Sequence, residues 1–436
     1  MLRRLEVVVL AVVLLVGAFS TGVDFLFFLV YLGLFVLGGA YLISRFGLAD
    51  LEAGFAVDRT AGHVGETLRA TYTLRNAGRL PKLWLEAYNP STLPVPLPGR
   101  AISLGPRSER SWIARVPLTA RGHFRIEPLV IRTGDPFGLF EAAATVGTAS
   151  GLTVYPRVEP LPRWRLPATA LEGNRASRER TIQTTPLVTS IRPYAPGDAF
   201  NRIHWKSTAR QQELQVKEFD LEQTADLWLF LDLDATVHAG RGEDSTIEAA
   251  VRVAAALADH ALAENRAVGL TAVGHHPVVL PADRGGRQRH KIMTLLAAVE
   301  ADGLTPLVEV LLQGLPRLRR GMTAMVVTPS LARDWVRPLA TLHGRGVGAA
   351  VALIDAAAYA GRSASGPGSQ PGTRPAATGS TDGPAEDEDT DAARAARALQ
   401  HALAEYDLDR YAVAPGTPLG ELFVTAQAAS PVAAFR

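Results

Sequence analysis

Apolar and polar positions fall into three textures along this chain. The first is continuous. Residues 5–19 (LEVVVLAVVLLVGAF) and 23–43 (VDFLFFLVYLGLFVLGGAYLI) are apolar runs parted only by Ser20, Thr21 and Gly22, and no charge interrupts 7–23. A hydrocarbon core about 30 Å thick asks for about 20 apolar residues in a helix, so the second run is long enough and the first is near the lower limit. A second run so soon after the first, with no small-x-small cleavage site between them, predicts a retained two-helix transmembrane hairpin over 1–48 rather than a cleaved leader. Arg3 and Arg4 precede the first run, Asp24 lies in the turn and Arg45 follows the second. The positive flanks share one side, which predicts an inner (plasma) membrane protein with its termini and soluble body in the cytoplasm.

The second texture, over 49–160, is alternation. Short runs such as GETLRATYTLRN, KLWLEAYN, RSWIARVPL, HFRIEPLVIRT and GLTVYP, punctuated by Gly and Pro, predict an antiparallel β-sandwich. A polar connection over 163–185 follows, within a linker and motif segment over 161–225.

The third texture opens at Asp226. Apolar strands without alternation (LWLFLDLD, RAVGLTAVG, MTAMVVTP, GVGAAVALI) exchange with helices such as STIEAAVRVAAALADHALAEN. That exchange predicts an α/β Rossmann-like domain over 226–360, its parallel sheet covered on both faces. Ligands in such sheets bind at the carboxyl ends of the strands. Residues 361–391 are poor in apolar side chains and end in an acidic run, which predicts a disordered insertion. Residues 392–436 return to a helix, a strand and a last short helix, and complete the α/β domain. No period of 20 to 50 residues recurs, so repeat architectures are not expected.

Composition narrows the chemistry. With 45 Lys plus Arg against 43 Asp plus Glu, the formal net charge is +2, which gives no footprint for nucleic acid. The chain has 0 Cys, so disulfides, thiol catalysis and cysteine-zinc sites are excluded together. No Gly-rich loop with Lys is present to cradle phosphates, so nucleotide hydrolysis by this chain alone is not expected.

One stretch, 191–220 (IRPYAPGDAFNRIHWKSTARQQELQVKEFD), gathers polar groups that the rest of the chain does not. Pro196, Gly197 and Asp198 are turn chemistry. NRIHWKSTARQ fits a helix of two to three turns, on which Trp205 and Ala209 share one face and Lys206 and Arg210 the next. LQVKEF alternates like a strand. Such a turn, helix and strand also make a structural joint whose polar groups satisfy one another. The pattern R-x-Y-x-P-G-D, I-x-W-K-x-x-A-R and L-x-V-K-E-F resembles the signature of the bacterial family called domain of unknown function fifty-eight. It is carried here by Arg192, Tyr194, Pro196, Gly197, Asp198, Trp205, Lys206, Arg210, Lys217 and Glu218. His204 stands where many members have Asp. Arg121-Gly122-His123-Phe124 and Asp135-Pro136-Phe137-Gly138-Leu139-Phe140 look like two further elements of that family, with Phe137, Leu139 and Phe140 expected as core anchors.

Asp232, Asp234 and Thr236 stand as D-L-D-A-T at the end of the first strand of the α/β domain. Two readings put hard oxygen ligands on a divalent cation such as Mg2+. The domain resembles the von Willebrand factor A type, whose D-x-S-x-S binds metal with a Thr and an Asp from later loops. Thr305 sits where that Thr is expected, Asp234 replaces the first Ser, and Thr328-Pro329-Ser330 stands where the Asp is wanted, a degenerate site. The pattern also resembles the haloacid-dehalogenase-like phosphatases, with Asp232 as nucleophile and Asp234 as general acid/base. Thr271 or Thr328 and Lys291 would then serve the later motifs, while Asp355 stands without its paired acid. A third reading is structural: the acids end a strand and cap the next helix.

The family resemblance and the order of the domains favour a non-enzymatic reading. They imply a membrane-anchored adaptor or scaffold working with a MoxR-type AAA+ ATPase in envelope-related assembly or maturation, the magnesium-dependent phosphatase being the alternative. On this reading the motif stretch joins the sandwich to the α/β domain through a paired, partly buried network of Arg192, Asp198, Trp205, Arg210 and Lys217.

Overall fold

Two helices open the chain, α1 (Leu2–Thr21) and α2 (Asp24–Gly47), with the Phe19 and Phe27 rings edge to face across the turn at 5.4 Å. The structure is a computed structural model, which describes residues 2–162, 164, 188–195, 198, 200, 203–219, 226–364 and 385–423. Among the described residues one helix, α2, is long and apolar enough to cross a membrane, with a mean hydropathy of 2.3. The apolar part of α1, Val9–Thr21, is shorter than a span. Of the two-helix membrane hairpin expected over 1–48, the described residues bear out one helix that meets the requirement.

The chain divides into two units, Met1–Val158 with Met293–Val299, and Glu159–Ile292 with Glu300–Arg436. In the first, ten strands follow α2: β1 (Leu51–Val57), β2 (Ala61–His63), β3 (Thr67–Asn76), β4 (Lys82–Tyr88), β5 (Arg100–Leu104), β6 (Glu109–Pro117), β7 (Gly122–Ile126), β8 (Leu129–Gly134), β9 (Glu141–Val146) and β10 (Ser150–Tyr155). They make sheets ordered β1-β3-β6, β2-β10-β7 and β5-β4-β8-β9. Pairing is antiparallel except between β2 and β10. Side chains alternate across a strand, so Leu68, Ala70, Tyr72 and Leu74 of β3 all point inward. There they meet Val116 of the neighbouring β6 and Leu85, Leu104, Ile131 and Val154 from the other sheets in one core.

The second unit begins with β11 (Val188–Pro193), α3 (Trp205–Gln211) and β12 (Gln215–Phe219), in which β11 and β12 pair antiparallel. The remaining elements are β13 (Leu227–Leu231), β14 (Gly240–Arg241), β15 (Asp244–Ser245), α4 (Thr246–Ala263), β16 (Val268–Val273), β17 (Pro277–Asp283), α5 (Gly285–Ala298), α6 (Leu307–Gly314), β18 (Thr323–Thr328), α7 (Val336–Gly344), β19 (Gly348–Ile354), α8 (Ala356–Ala364), α9 (Ala385–Glu405) and β20 (Asp409–Val413). Six strands form one sheet ordered β17-β16-β13-β18-β19-β20. All neighbours are parallel except β17, which returns antiparallel beside β16. Trp228, Phe230, Val326 and Val351 share a core with Leu311 of α6, Leu339 of α7 and Leu399 of α9. Burial of each such large side chain contributes about 1.5–3 kcal/mol. Helix α4 packs on β13, β16, β18 and β19; its Ala-rich buried face allows close approach to the sheet. Its amino end is set by Ser245, whose hydroxyl accepts from the Glu248 amide.

The return of the α/β domain after 392 is seen in β20, which pairs with β19 as the sixth strand. Trp164 is buried against Tyr411, Phe423 and His260, and its indole N–H lies 3.4 Å from the Tyr411 hydroxyl. Burial pushes the Tyr411 hydroxyl up to about 12. The expected disordered insertion, 361–391, needs correction at both ends: 361–364 finish α8 and 385–391 open α9. Residues 365–384 and the polar connection 165–187 lie outside the described residues.

Candidate functional site

Strand β13 is buried along its whole length between β16 and β18; the chain runs on from β13 to β16 and from β18 to β19, toward opposite edges of the sheet. The boundary between β13 and β18 is thus the switch point, where open α/β sheets offer a crevice at their carboxyl ends. The parallel register places Phe230 beside Val326 and Leu231 beside Val327. Two residues beyond the first pair, on the same face, stand Asp232 and Thr328. Both are buried, Asp232 at 1% exposure.

Thr328 donates its hydroxyl proton to Asp232 Oδ2 at 2.5 Å, while the Asp234 amide donates to Asp232 Oδ1 at 3.1 Å. Asp234 Oδ1 accepts from the Thr236 amide at 2.9 Å and the Thr236 hydroxyl at 2.8 Å. Gly303 donates to the Leu233 carbonyl and accepts from the Ala235 amide, so the loop before α6 clamps the acid loop through its backbone. His238 closes the cluster from behind. Its Nε2 donates to the Asp232 carbonyl at 3.0 Å, and its Nδ1 lies 2.9 Å from the Thr246 hydroxyl. Burial pushes the Asp232 carboxyl above its usual range, against the pull of the Thr328 hydroxyl and the Asp234 amide. Burial likewise pushes the His238 imidazole below its usual value, against the Asp232 carbonyl and the charges of Asp232 and Asp234.

The residues present do not fit a divalent cation. Such an ion wants oxygen ligands with free lone pairs directed at one point. Here both oxygens of Asp232 are engaged by donors, and one of those donors, Thr328, fills the place where an A-type site has an acid. Among the described residues no three His, Asp or Glu side chains are grouped to hold a metal. Thr305 is half-buried two residues beyond the Gly303 clamp, and no hydrogen bond joins it to either acid among the described residues. The expected set of Asp232, Asp234, Thr236 and Thr305 is therefore only partly brought together.

The phosphatase set is dispersed. Thr271 accepts from the Trp228 indole N–H at 3.0 Å inside the sheet layer. Lys291 is exposed on α5, and Asp355 accepts from the Ala358 amide to cap α8. His238 and Thr246 are two members of the cluster that sequence reasoning missed. The signal for His238 was its place six residues after Asp232, just ahead of the Ser245 cap.

The family-motif stretch folds as a small unit of its own. Arg192 on β11 forms a two-pronged ion pair with Asp198, NH1 to Oδ2 and NH2 to Oδ1 each at 2.8 Å, and Asp198 Oδ2 also accepts from the Ala195 amide. The Tyr194 amide donates to the Leu214 carbonyl, and its ring lies 6.0 Å from that of Phe200. His204 caps α3 by accepting from the Ser207 amide, the task that an Asp would perform there. The helix runs seven residues from Trp205, about two turns and the short end of the expected length. Trp205, Lys206 and Arg210 are exposed, so Trp205 and Arg210 do not join the buried network expected of them, while Arg192 and Asp198 are paired. Lys217 and Glu218 lie on β12 opposite Ile191 and Ser190; their side chains, and Pro196 and Gly197 altogether, lie outside the described residues.

These features define a two-unit protein: an apolar amino-terminal helix with a β unit, and an α/β unit with a sealed acid cluster at its switch point. Residues 190–360 match the family described as Protein of unknown function DUF58, the family expected from the motif. The chain is similar to the uncharacterized protein YeaD of Bacillus subtilis (strain 168), 26% identical over 317 residues, which cover 70% of this chain and 76% of that protein. It is also similar to the uncharacterized protein Rv1480 of Mycobacterium tuberculosis, 28% identical over 170 residues. That match covers 38% of this chain and 53% of the mycobacterial protein, so the chain spans about half of that relative. Among solved structures, the CARDB domain of the PF1109 protein from Pyrococcus furiosus is 14% identical over 24% of this chain and 92% of that chain, with a TM-score of 0.19. A likeness that slight carries no argument.

Proposed function

We propose that this chain is a membrane-anchored, cytoplasm-facing adaptor that works with a MoxR-type AAA+ ATPase in envelope-related assembly or maturation. The observation that carries the reading is the sealed switch point. Where a working α/β site holds an open crevice with unengaged side chains, here Asp232 accepts from Thr328 and Asp234 accepts from its own loop. A buried carboxylate with both oxygens engaged is a poor nucleophile, which weighs against phosphatase chemistry. The strand order, numbered within the domain, is 3-2-1-4-5-6 with the third strand antiparallel, and it supports a von Willebrand factor A-like domain used as a docking module. The exposed Trp205, Lys206 and Arg210 on α3 supply a contact surface of the composition that interfaces favour. Membrane anchoring is supported by α2, with Arg45 after it on the side of the soluble body. A second crossing through α1 would bring Arg3 and Arg4 to the same side.

The test is recovery of the full-length tagged chain from membranes with ATP and magnesium, followed by identification of the proteins retained. A MoxR-type ATPase is expected with the natural chain and reduced with Trp205→Ala plus Arg210→Ala; its absence from the natural sample removes the partner. In parallel, the purified chain should not turn over a generic phosphomonoester with magnesium. Turnover abolished by Asp232→Asn would replace the adaptor reading with the phosphatase one.

A further inference from the structure

The β8–β9 turn carries the D-P-F-G-L-F element, whose aromatics were expected in the core. Only part of that holds. Leu139 is buried, but Phe137 is 55% exposed at the tip. The turn is nevertheless built firmly. Asp135 Oδ2 accepts from the Phe137 amide at 2.8 Å and its Oδ1 from the Phe140 amide at 2.5 Å, while Gly138 takes a φ of 68° that other residues avoid. A turn so fixed holds an apolar side chain outward, and burial in the core is not the reason.

Its surroundings supply one. Phe137 lines a cavity of about 490 Å³ with Ile43 of α2, Leu83, Trp84, Pro136 and Glu141. Leu83 is 62% exposed and Trp84 45%. The end of α2 is fastened to this same face. The Lys82 ammonium donates to the Phe46 carbonyl at 2.7 Å, the Tyr41 ring meets Phe140 edge to face at 5.7 Å, and Thr133 fills the space that a side chain at Gly47 would need. From Phe25 to Ile43 the helix rises about 28 Å at about 1.5 Å per residue, close to the hydrocarbon thickness. Ile43 therefore marks the depth at which acyl chains give way to headgroups. Whatever shares a cavity with Ile43 shares that depth.

We propose that this face of the β unit is seated in the membrane interface, with Leu83, Trp84 and Phe137 inserted beside α2 and the cavity occupied by the upper acyl chain of a phospholipid. The proposal rests on α2 crossing the membrane. Trp at the boundary and basic residues just above it are what an interface favours. Here Arg45 ends α2 and Arg79 stands exposed in the loop before β4, both placed to meet anionic headgroups. Of the two acids in the lining, Glu141 is paired with Arg132 at 3.0 Å, and the buried Asp135 spends both oxygens on the Phe137 and Phe140 amides. The far end of the same unit gives a built-in contrast. Asn76 of β3 pairs with Leu51 just after α2, whereas Thr67 lies nine residues along the strand, about 30 Å away at about 3.4 Å per residue.

Because the chain has 0 Cys, one introduced thiol is a unique label. The full chain carrying Phe35→Cys, Leu83→Cys, Phe137→Cys or Thr67→Cys, labelled with bimane, is reconstituted into vesicles of phosphatidylcholine and phosphatidylglycerol in equal parts. Quenching is then read with lipids bearing a nitroxide near the headgroup or near the chain end. Expected are strong quenching of Phe35→Cys by the deep nitroxide, of Leu83→Cys and Phe137→Cys by the shallow one, and none of Thr67→Cys. If Phe35→Cys is quenched while either Leu83→Cys or Phe137→Cys behaves like Thr67→Cys, the interface proposal is overturned and the span stands. If Phe35→Cys is not quenched, the span reading falls and the proposal with it.

Discussion

Thr328 and Asp232, 96 residues apart in sequence, are joined by one hydrogen bond across the carboxyl ends of β18 and β13. The bond follows from register: Phe230 lies beside Val326, and two residues further along each strand the same face presents the acid and the hydroxyl. The switch point is closed by these two side chains.

Removing the donor should be costly. Thr328→Val leaves a buried carboxylate with one donor fewer and the Ser330 amide without its acceptor. Stability of the second unit is expected to fall by about 1–3 kcal/mol. Thr328→Ser keeps the hydroxyl and should lose about half as much or less. Urea unfolding followed by tryptophan fluorescence distinguishes the two; equal losses would mean that the missing methyl, and not the bond, matters.

The histidine behind the cluster sets a pH dependence. Burial lowers the His238 pKa in the folded chain, so the unfolded chain takes up the proton more readily. Stability from this group is fully present above the unfolded value of about 6.5 and is lost as pH falls below it toward the folded value. Midpoints measured from pH 7.5 downward should decline in the natural chain and decline less in His238→Gln. Parallel curves for the two would show that another group carries the slope.

Gly303 offers a steric test of the clamp. A Cβ there would stand 2.7 Å from the Val273 carbonyl oxygen and 2.9 Å from that of Leu233. Both are backbone atoms, which cannot rotate away. Gly303→Ala is expected to destabilise the unit by about 1–3 kcal/mol and to speed amide exchange at Ala235, whose N–H bonds to the Gly303 carbonyl. Unchanged exchange at Ala235 would show that the loop shifts without releasing the acid loop.

Arg192 and Asp198 should be coupled. Their two parallel bonds match a guanidinium to a carboxylate, a geometry that lysine cannot reproduce. Arg192 is partly open to solvent, so screening keeps the expected loss for Asp198→Ala at roughly 1 kcal/mol. Arg192→Lys should recover only part of the pairing in a double-mutant cycle. Limited proteolysis of the β11–β12 region reads the same change; intact resistance with lost partner recovery would place the pair on the docking surface.

The textures of the chain were legible because periodicity reports which faces are buried. Alternation over 67–76 and the continuous run LWLFL became β3 and β13, and the helix and strand of the family motif appeared in that order. Even the Asp232 position was readable as a strand end at a ligand-binding edge. Periodicity carries no information about which distant side chain meets which. The Thr328 bond depends on strand register, the His238 contact on how the loop after Asp234 turns back, and the exposure of Phe137 on a turn fastened beside α2. Local composition determined the elements; the pairing of elements far apart in the chain decided that the acids are sealed and that an aromatic expected inside stands outside.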